Sequence, residues 1–228
     1  MSRFIRLLAV ALTLLIALAC GETVSDDPAE VLDAAGVAMT GVDTVHFRLV
    51  IENGDIELIA GITAAEIEGD VARPDRVQAE LHGEFRGLGV SFEFRSIGHE
   101  QWVKNPLPPG AWIPLEGVAL GPAILDPQAG VVELLEAMRG LELVGTEEVD
   151  GLVAHHITGS ADNADVAPFF TAQPVEGSTS VDLFVDPHDR FVLRVVLHGP
   201  TIVGDASDIV RHLEFSRFNE SVSIEPPA

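Results

Sequence analysis

The sequence has a single cysteine, Cys20, and few basic residues. Its 228 residues include 13 lysines and arginines against 36 aspartates and glutamates, and Lys104 is the only lysine. One cysteine excludes an intrachain disulfide, so the fold must rest on a hydrophobic core, which 47% hydrophobic residues can supply in a chain of this length. The formal charge of −23 and the lack of a basic cluster argue against nucleic acid as a partner, and against attachment to anionic lipid headgroups by charge.

Familiar catalytic and metal-binding motifs are also missing. The chain contains no Gly-x-Ser-x-Gly elbow, no His-Glu-x-x-His and no phosphate-binding loop. His155 and His156 are adjacent, but neighbouring side chains of a strand point to opposite faces, so we do not expect them to bind one metal ion. We therefore predict no catalytic residue, no metal, no cofactor and a non-enzymatic role. An unfamiliar active site, with residues scattered along the chain, is an alternative that motifs do not test.

The N-terminus has the pattern of a secretory signal. Arg3 and Arg6 precede an almost unbroken apolar run over residues 7–19, which ends in small residues. A helix needs about 20 residues to cross the hydrocarbon core of a bilayer, and this run is shorter. We therefore expect cleavage rather than a permanent membrane span.

Cys20 stands directly after this run, in Ile16-Ala17-Leu18-Ala19-Cys20-Gly21. The segment resembles a lipobox, where bacterial lipoproteins are acylated on the cysteine and cleaved before it, although leucine is commoner at the position of Ala17. Two or more acyl chains anchor a protein stably, whereas one does not. This interpretation makes residues 1–19 a signal peptide, residues 20–27 a lipidated tether and residues 28–228 a single domain held outside the cytoplasm on a bacterial cell membrane. A plain signal peptide with an incidental cysteine is the alternative.

Alternating hydrophobicity predicts many β-strands after the tether. In residues 45–52 every second side chain is apolar, and Asn53-Gly54 follows as a hairpin turn. The same reasoning predicts strands near residues 56–60, 65–71, 77–82, 88–95, 102–103, 141–149, 152–158, 181–185, 191–197 and 209–218. Each has one apolar and one polar face, as in an antiparallel sheet that meets water on one side. We expect Trp102 and Trp112 to cap the core rather than to stack on a sugar.

Helical spacing interrupts the strands in two places. Asp26 or Asp27 can cap a first helix with Pro28 in its first turn, Val31, Ala34, Ala35 and Ala38 on its apolar face and Gly41 at its end. A second helix is predicted to begin at Asp126-Pro127, to carry Val131, Leu134, Leu135 and Met138 and to end at Gly140. Residues 162–172 are expected to form a short helix or loop that presents Phe169 and Phe170. The predicted fold class is α+β, with many antiparallel strands and two or three helices on one side.

Several short segments, in their order and spacing, resemble the LppX/LprAFG family of actinobacterial lipoproteins, which share a LolA/LolB-like fold. The similarity runs from about Val31 to the proline-containing tail. The segments are residues 98–104 (GHEQWVK), 110–113 (GAWI), 125–127 (LDP), 145–151 (GTEEVDG), 156–159 (HITG) and 181–189 (VDLFVDPHD).

This resemblance implies a strongly curved antiparallel sheet, or half-barrel, with helices packed on its concave face. It also implies an apolar cavity between the layers that accepts the acyl chains of lipids or glycolipids, for transport or presentation in the cell envelope. The candidate lining residues are Phe47, Leu49, Leu81, Phe92, Phe94, Val131, Leu134, Leu135, Met138, Phe169 and Phe170, and the last two could gate the opening. Patterning alone favours a packed core, so the alternative is an envelope interaction or scaffold lipoprotein with a filled interior and no lipid cargo.

Overall fold

Antiparallel β-structure forms most of the fold. The computed structural model describes residues 27–59, 62–85, 87–105, 110–115, 130–170 and 172–227, and within these residues twelve strands belong to one sheet. The strands are β1 (Thr44–Glu52), β2 (Ile56–Ile59), β3 (Ile62–Ala72), β4 (Arg76–Phe85), β5 (Leu88–Ile97), β6 (Glu100–Lys104), β7 (Trp112–Leu115), β8 (Arg139–Val149), β9 (Leu152–Asp162), β10 (Ser178–Val185), β11 (Val192–His198) and β12 (Val210–Ser216).

Three short α-helices accompany the sheet in the described ranges. They are α1 (Pro28–Thr40), α2 (Val131–Ala137) and α3 (Asn163–Val166), and α3 continues directly into a 3-10 helix (Ala167–Phe170). The α+β fold class predicted from the sequence is therefore confirmed. The short helix or loop expected over residues 162–172 consists of α3 and the 3-10 helix.

Two antiparallel meanders make the sheet, and they meet where the first strand pairs with the last. The strand order is β7-β6-β5-β4-β3-β1-β12-β11-β10-β9-β8, and β2 pairs only with β3. At the junction, Phe47 lies opposite Phe215 and Leu49 lies opposite Leu213. Because β7 and β8 are the two ends of this order, the sheet is open and not a closed barrel.

The first helix begins as the sequence predicts, but its buried face is rotated. Asp27 Oδ1 accepts a hydrogen bond of 2.9 Å from the backbone N–H of Ala29, and Pro28 occupies the first turn. The buried side chains are Val31, Leu32, Ala35 and Met39, whereas the predicted Ala34 and Ala38 are only half-buried. The rotation places the larger side chains in the core, where they remove more apolar surface from water than alanines would.

The second helix is shorter than the apolar spacing predicts. It begins at Val131, because Gly130 has an extended backbone (φ −108°, ψ −157°), and it ends at Ala137 rather than at Gly140. Met138 turns the chain directly into β8. Asp126 and Pro127, the predicted start, lie outside the described residues.

One hydrophobic cluster joins the helices to the sheet. It combines the buried faces of α1 and α2 with alternate strand residues such as Phe47, Leu49, Leu81 and Phe92, and we call the sheet face that bears these residues the inner face. A smaller cluster of Val149, Ala154, Phe184, Leu193 and Val196 lies on the opposite, outer face. The placement of the helices on a concave side stays a prediction. The buried apolar residues run from Val31 to Ile224, so a chain that begins after Cys20 contains this whole core.

Candidate functional site

An apolar pocket lies between the inner face of the sheet and the helical segments. Its walls are Leu49 of β1, Leu134 of α2, Phe169 and Phe170 of the 3-10 helix, and four residues of β11 and β12: Val195, Leu197, Arg211 and Leu213. The pocket has a volume of about 10 Å³. That is roughly the space of one water molecule, whereas pockets that hold small ligands measure about 300 Å³ or more. The pocket is therefore nearly filled by its own side chains in this structure.

Four of the candidate lining residues meet at this pocket: Leu49, Leu134, Phe169 and Phe170. The other seven are buried in the same hydrophobic cluster without lining this pocket: Phe47, Leu81, Phe92, Phe94, Val131, Leu135 and Met138. Patterning identified the strand and helix residues among them as apolar, but only the three-dimensional arrangement separates pocket wall from packed core.

The 3-10 helix that carries the two phenylalanines follows α3, and α3 is held at its start by Asn163. The backbone N–H of Asn163 donates to the carbonyl oxygen of Gly177 at 3.0 Å, and its Nδ2 donates to the carbonyl oxygen of Pro200 at 3.2 Å. Phe169 and Phe170 are half-buried, with ring centroids 6.3 Å apart. The segment made of α3 and the 3-10 helix is thus tied to the loop between β11 and β12 at one end and presents its aromatic rings to the pocket at the other.

A buried ion pair stands at the edge of the apolar pocket. The guanidinium of Arg211 binds both carboxylate oxygens of Asp205: Nη1 donates to Oδ2 at 3.0 Å, and Nη2 donates to Oδ1. The two side chains are only 1% and 2% exposed. Buried charges require partners of this kind, because an isolated ion in a protein interior costs several kcal/mol or more.

Asp205 also organises the loop that connects β11 to β12. Its Oδ2 accepts hydrogen bonds from the backbone N–H groups of Thr201 (2.8 Å) and Ile202 (2.9 Å). Burial alone would raise the pKa of the Asp205 carboxyl. The hydrogen bond from Arg211, the two backbone hydrogen bonds and the charge of Arg211 outweigh it, so the pKa lies below its ordinary value. Asp205 is therefore an anion that balances the charge of Arg211.

Arg211 has a further contact with the 3-10 helix. Its Cζ lies 4.6 Å from the centroid of the Phe170 ring, within the range of a cation–π interaction. Its Nε is buried and has no hydrogen-bond partner among the described residues. The sequence analysis missed Arg211, although the strand pattern marks it: Ile209, Leu213 and Phe215 are buried on the same alternation, and Arg211 is the charged residue among them.

A larger groove lies on the outer face, and its character is polar. It has a volume of about 350 Å³, and its walls include His46, Asp70 and Trp112. Asp70 Oδ1 lies 2.8 Å from His46 Nδ1, and its Oδ2 accepts from Gln78 Nε2 at 2.9 Å, so these polar groups already bind one another. The expectation that Trp112 caps the core is wrong: Trp112 faces this groove, with Arg95 Cζ 4.9 Å from its ring centroid.

A second polar cluster on the outer face joins three strands. Asp182 of β10 lies 2.8 Å from His156 Nε2 on β9 and 2.6 Å from His198 Nε2 on β11. Burial acts to raise the pKa of the Asp182 carboxyl, but the hydrogen bonds to His156 and His198 and the charges of these histidines lower it below its usual value. In the part of the chain that the structure describes, no group of three or more His, Cys, Asp or Glu residues is arranged to hold a metal ion.

The fold and the pocket define a class of protein in which short helices pack on the inner face of an open antiparallel sheet and an apolar pocket lies between them. A family model described as LppX_LprAFG lipoprotein matches residues 27–224. The chain therefore belongs to the LppX/LprAFG lipoprotein family, as the sequence resemblance predicted. Within the described ranges, the structure contains no helix of the length and hydrophobicity that a membrane crossing requires.

Solved structures have the same fold. LprF from Mycobacterium bovis is 19% identical, with a TM-score of 0.67 over 90% of this chain and 98% of that chain. The lipoprotein LppX from Mycobacterium tuberculosis is 20% identical, with a TM-score of 0.63 over 88% of this chain and 100% of that chain. Comparison with curated protein sequences gave no match.

Proposed function

We propose that this protein is a membrane-anchored lipoprotein that binds the acyl chains of a lipid or glycolipid between its sheet and its helices. Residues 1–19 act as the signal peptide, and Cys20 carries the lipid anchor outside the cytoplasm. Residues 20–27 are the tether, and residues 28–228 are the lipid-binding domain. The role is transport or presentation of envelope lipids, without catalysis, cofactor or nucleic acid.

The apolar pocket between the two layers carries this proposal. Seven of its eight lining residues are aliphatic or aromatic, and they come from the sheet, from α2 and from the 3-10 helix. Removal of apolar surface from water contributes about 25 cal/mol per Å². A long acyl chain enclosed between these layers would therefore gain several kcal/mol without any directed polar contact. Such a site explains how a binding protein can lack a recognisable chemical motif.

The proposal requires the pocket to open, because about 10 Å³ does not accommodate an acyl chain. The helices that line it are short: α2 has seven residues, and the 3-10 helix has four. Helices of this length are stabilised by packing rather than by their own hydrogen bonds. Movement of α2 and the 3-10 helix away from the sheet would widen the pocket, and the incoming chain would replace the apolar contacts that are lost.

The small volume also favours a second candidate function. With its layers in contact, the domain would be an envelope interaction or scaffold lipoprotein that binds a protein partner and carries no lipid. Lipid content separates the two functions, because a filled core takes up no acyl chain.

Native mass spectrometry of a soluble form that begins after Cys20 tests the proposal. The protein is purified from a bacterial envelope without detergent, and the bound material is extracted in organic solvent. A reproducible mass excess that extracts as lipid supports carriage. A protein that appears only at its own mass, before and after incubation with lipid vesicles, would show that the interior is a filled core.

A further inference from the structure

We propose that Arg211 forms a polar subsite inside the lipid pocket, where its Nε–H donates a hydrogen bond to an uncharged oxygen of the ligand, such as an acyl ester carbonyl. The inference rests on the proposed lipid-binding function and adds to it a residue that selects the chemical class of the ligand. It assigns a role to a charged side chain that hydrophobic packing does not explain.

The hydrogen bonds that Arg211 makes to Asp205 do not use its Nε–H. Nη1 and Nη2 bind the carboxylate of Asp205, while the buried Nε has no partner within the described part of the chain. Buried N–H groups are nearly always paired in folded proteins, because an unpaired one loses its hydrogen bonds to water without replacement. Arg211 also lines the apolar pocket, so a ligand in that pocket would lie against this side chain.

The charge balance of the site selects an uncharged acceptor. Asp205 neutralises Arg211, and both side chains are almost fully buried. A carboxylate or phosphate at Nε would bring a second anion close to Asp205 in a poorly hydrated interior, where like charges repel strongly. An ester carbonyl accepts the same hydrogen bond without adding charge.

Arg211 belongs to the wall of the pocket beside the 3-10 helix. Phe170 covers the guanidinium of Arg211, and Leu213 and Leu197 line the same pocket. A ligand would therefore place its acyl chain against the leucines and phenylalanines and its ester group against Arg211. We expect this arrangement to fix the depth at which the chain enters.

The test compares three probes of similar chain length on the soluble form: methyl palmitate, palmitate at neutral pH and hexadecane. Binding to each is measured by native mass spectrometry after equilibration. Since a hydrogen bond to a charged group contributes about 1.5–3 kcal/mol, methyl palmitate should bind about tenfold or more tightly than hexadecane, and palmitate should bind more weakly than its ester. In Arg211→Lys the ammonium can still pair with Asp205, but the Nε donor is lost, so the ester and the hydrocarbon should bind within about twofold of each other.

Arg194→Lys is the matched control. Arg194 Nε donates to Glu214 Oε1 at 3.0 Å in an ion pair on the outer face, and this substitution should leave the order of the three probes unchanged. Equal binding of ester and hydrocarbon to the unmodified protein overturns the role of Arg211 while the lipid-binding function stands. Preferred binding of palmitate overturns the charge argument. Failure of all three probes to bind contradicts the proposed function itself, and the comparison on the unmodified protein decides these points even if Arg211→Lys does not fold.

Discussion

Arg211 of β12 faces Phe170 of the 3-10 helix, with 4.6 Å between Cζ and the centroid of the ring. This contact joins the buried ion pair to the segment that covers the apolar pocket. Because Asp205 holds the other side of Arg211, the loop between β11 and β12, the sheet and the 3-10 helix meet at one guanidinium. The aromatic wall of the pocket therefore contacts a buried ion pair, Arg211 with Asp205, in addition to apolar side chains.

The double substitution Phe169→Ala/Phe170→Ala should change the kinetics of lipid uptake. The two rings are half-buried and line the pocket, so their removal takes away apolar contacts that keep it closed. We expect faster uptake and faster release of a fluorescent lipid from vesicles, by several-fold to tenfold for a loss of about 1 kcal/mol. Phe218→Ala is the control. The ring of Phe218 stacks on that of Phe191, with 4.4 Å between the ring centroids, and Phe218 does not line this pocket. Unchanged rates in the double variant would rule out a gating role.

Removal of one partner of the buried ion pair should destabilise the fold more than removal of both charges. Arg211→Met leaves the Asp205 carboxylate buried without its cation, which should cost about 3–5 kcal/mol of the free energy of unfolding. Arg211→Met/Asp205→Asn should recover a large part of this loss, because the amide oxygen can still accept from Thr201 and Ile202. Urea unfolding of the two variants measures the difference. A double variant no more stable than Arg211→Met would contradict this account of the pair.

The contribution of Asp182 to stability should depend on pH. The pKa of the Asp182 carboxyl in the folded protein lies below its ordinary value of about 3.9. The ionised carboxylate therefore stabilises the fold at pH values above about 3.9. This stabilisation is lost as the pH falls through the lower pKa of the folded state. Asp182→Asn should therefore lower the free energy of unfolding by about 1–2 kcal/mol at pH 6, and the difference from the unmodified protein should shrink below pH 4. Asp33→Asn, at an exposed position of α1, is the control. A difference that stays constant down to pH 2 would show that Asp182 acts by packing alone.

Cys20→Ser should abolish lipid attachment. The chain has no other cysteine, so no second thiol can be acylated in its place. Cells that produce the unmodified protein in the presence of labelled palmitate should transfer label to it, and the variant should contain none. Label retained in Cys20→Ser would refute Cys20 as the attachment site.

The sequence predicted the strand pattern more completely than the pocket. Period-two alternation places Phe47 and Leu49 on the same face of β1. The structure agrees, because β1 lies between β3 and β12 in the sheet and buries alternate side chains. It does not reveal which buried residues border a void, since Phe92 and Leu134 have the same hydrophobic character and only one of them lines the pocket. Arg211 could have been detected as the charged residue in a strand whose alternate residues are apolar. Its partner Asp205 lies in a loop, where hydrophobic periodicity gives no prediction.

The helix boundaries differ from prediction for a related reason. Apolar spacing around Leu134 identifies a helical segment, but the spacing has no information on where the backbone leaves the helix. Gly130 has an extended backbone, so the helix begins only at Val131, in keeping with the low helix propensity of glycine. In α1 the choice between Ala34 and Met39 for the core follows from contacts with the sheet, which local sequence does not contain.

The location of the acyl chain is the central claim, and photo-crosslinking measures it directly. A diacyl lipid with a diazirine near the middle of one chain is equilibrated with the soluble form, irradiated and mapped by peptide mass spectrometry. We predict adducts on the pocket walls, at Leu49, Leu134, Phe169, Phe170 or Leu213. Adducts confined to the groove of His46, Asp70 and Trp112 on the outer face, or the absence of any specific adduct, would contradict the binding of acyl chains between sheet and helices.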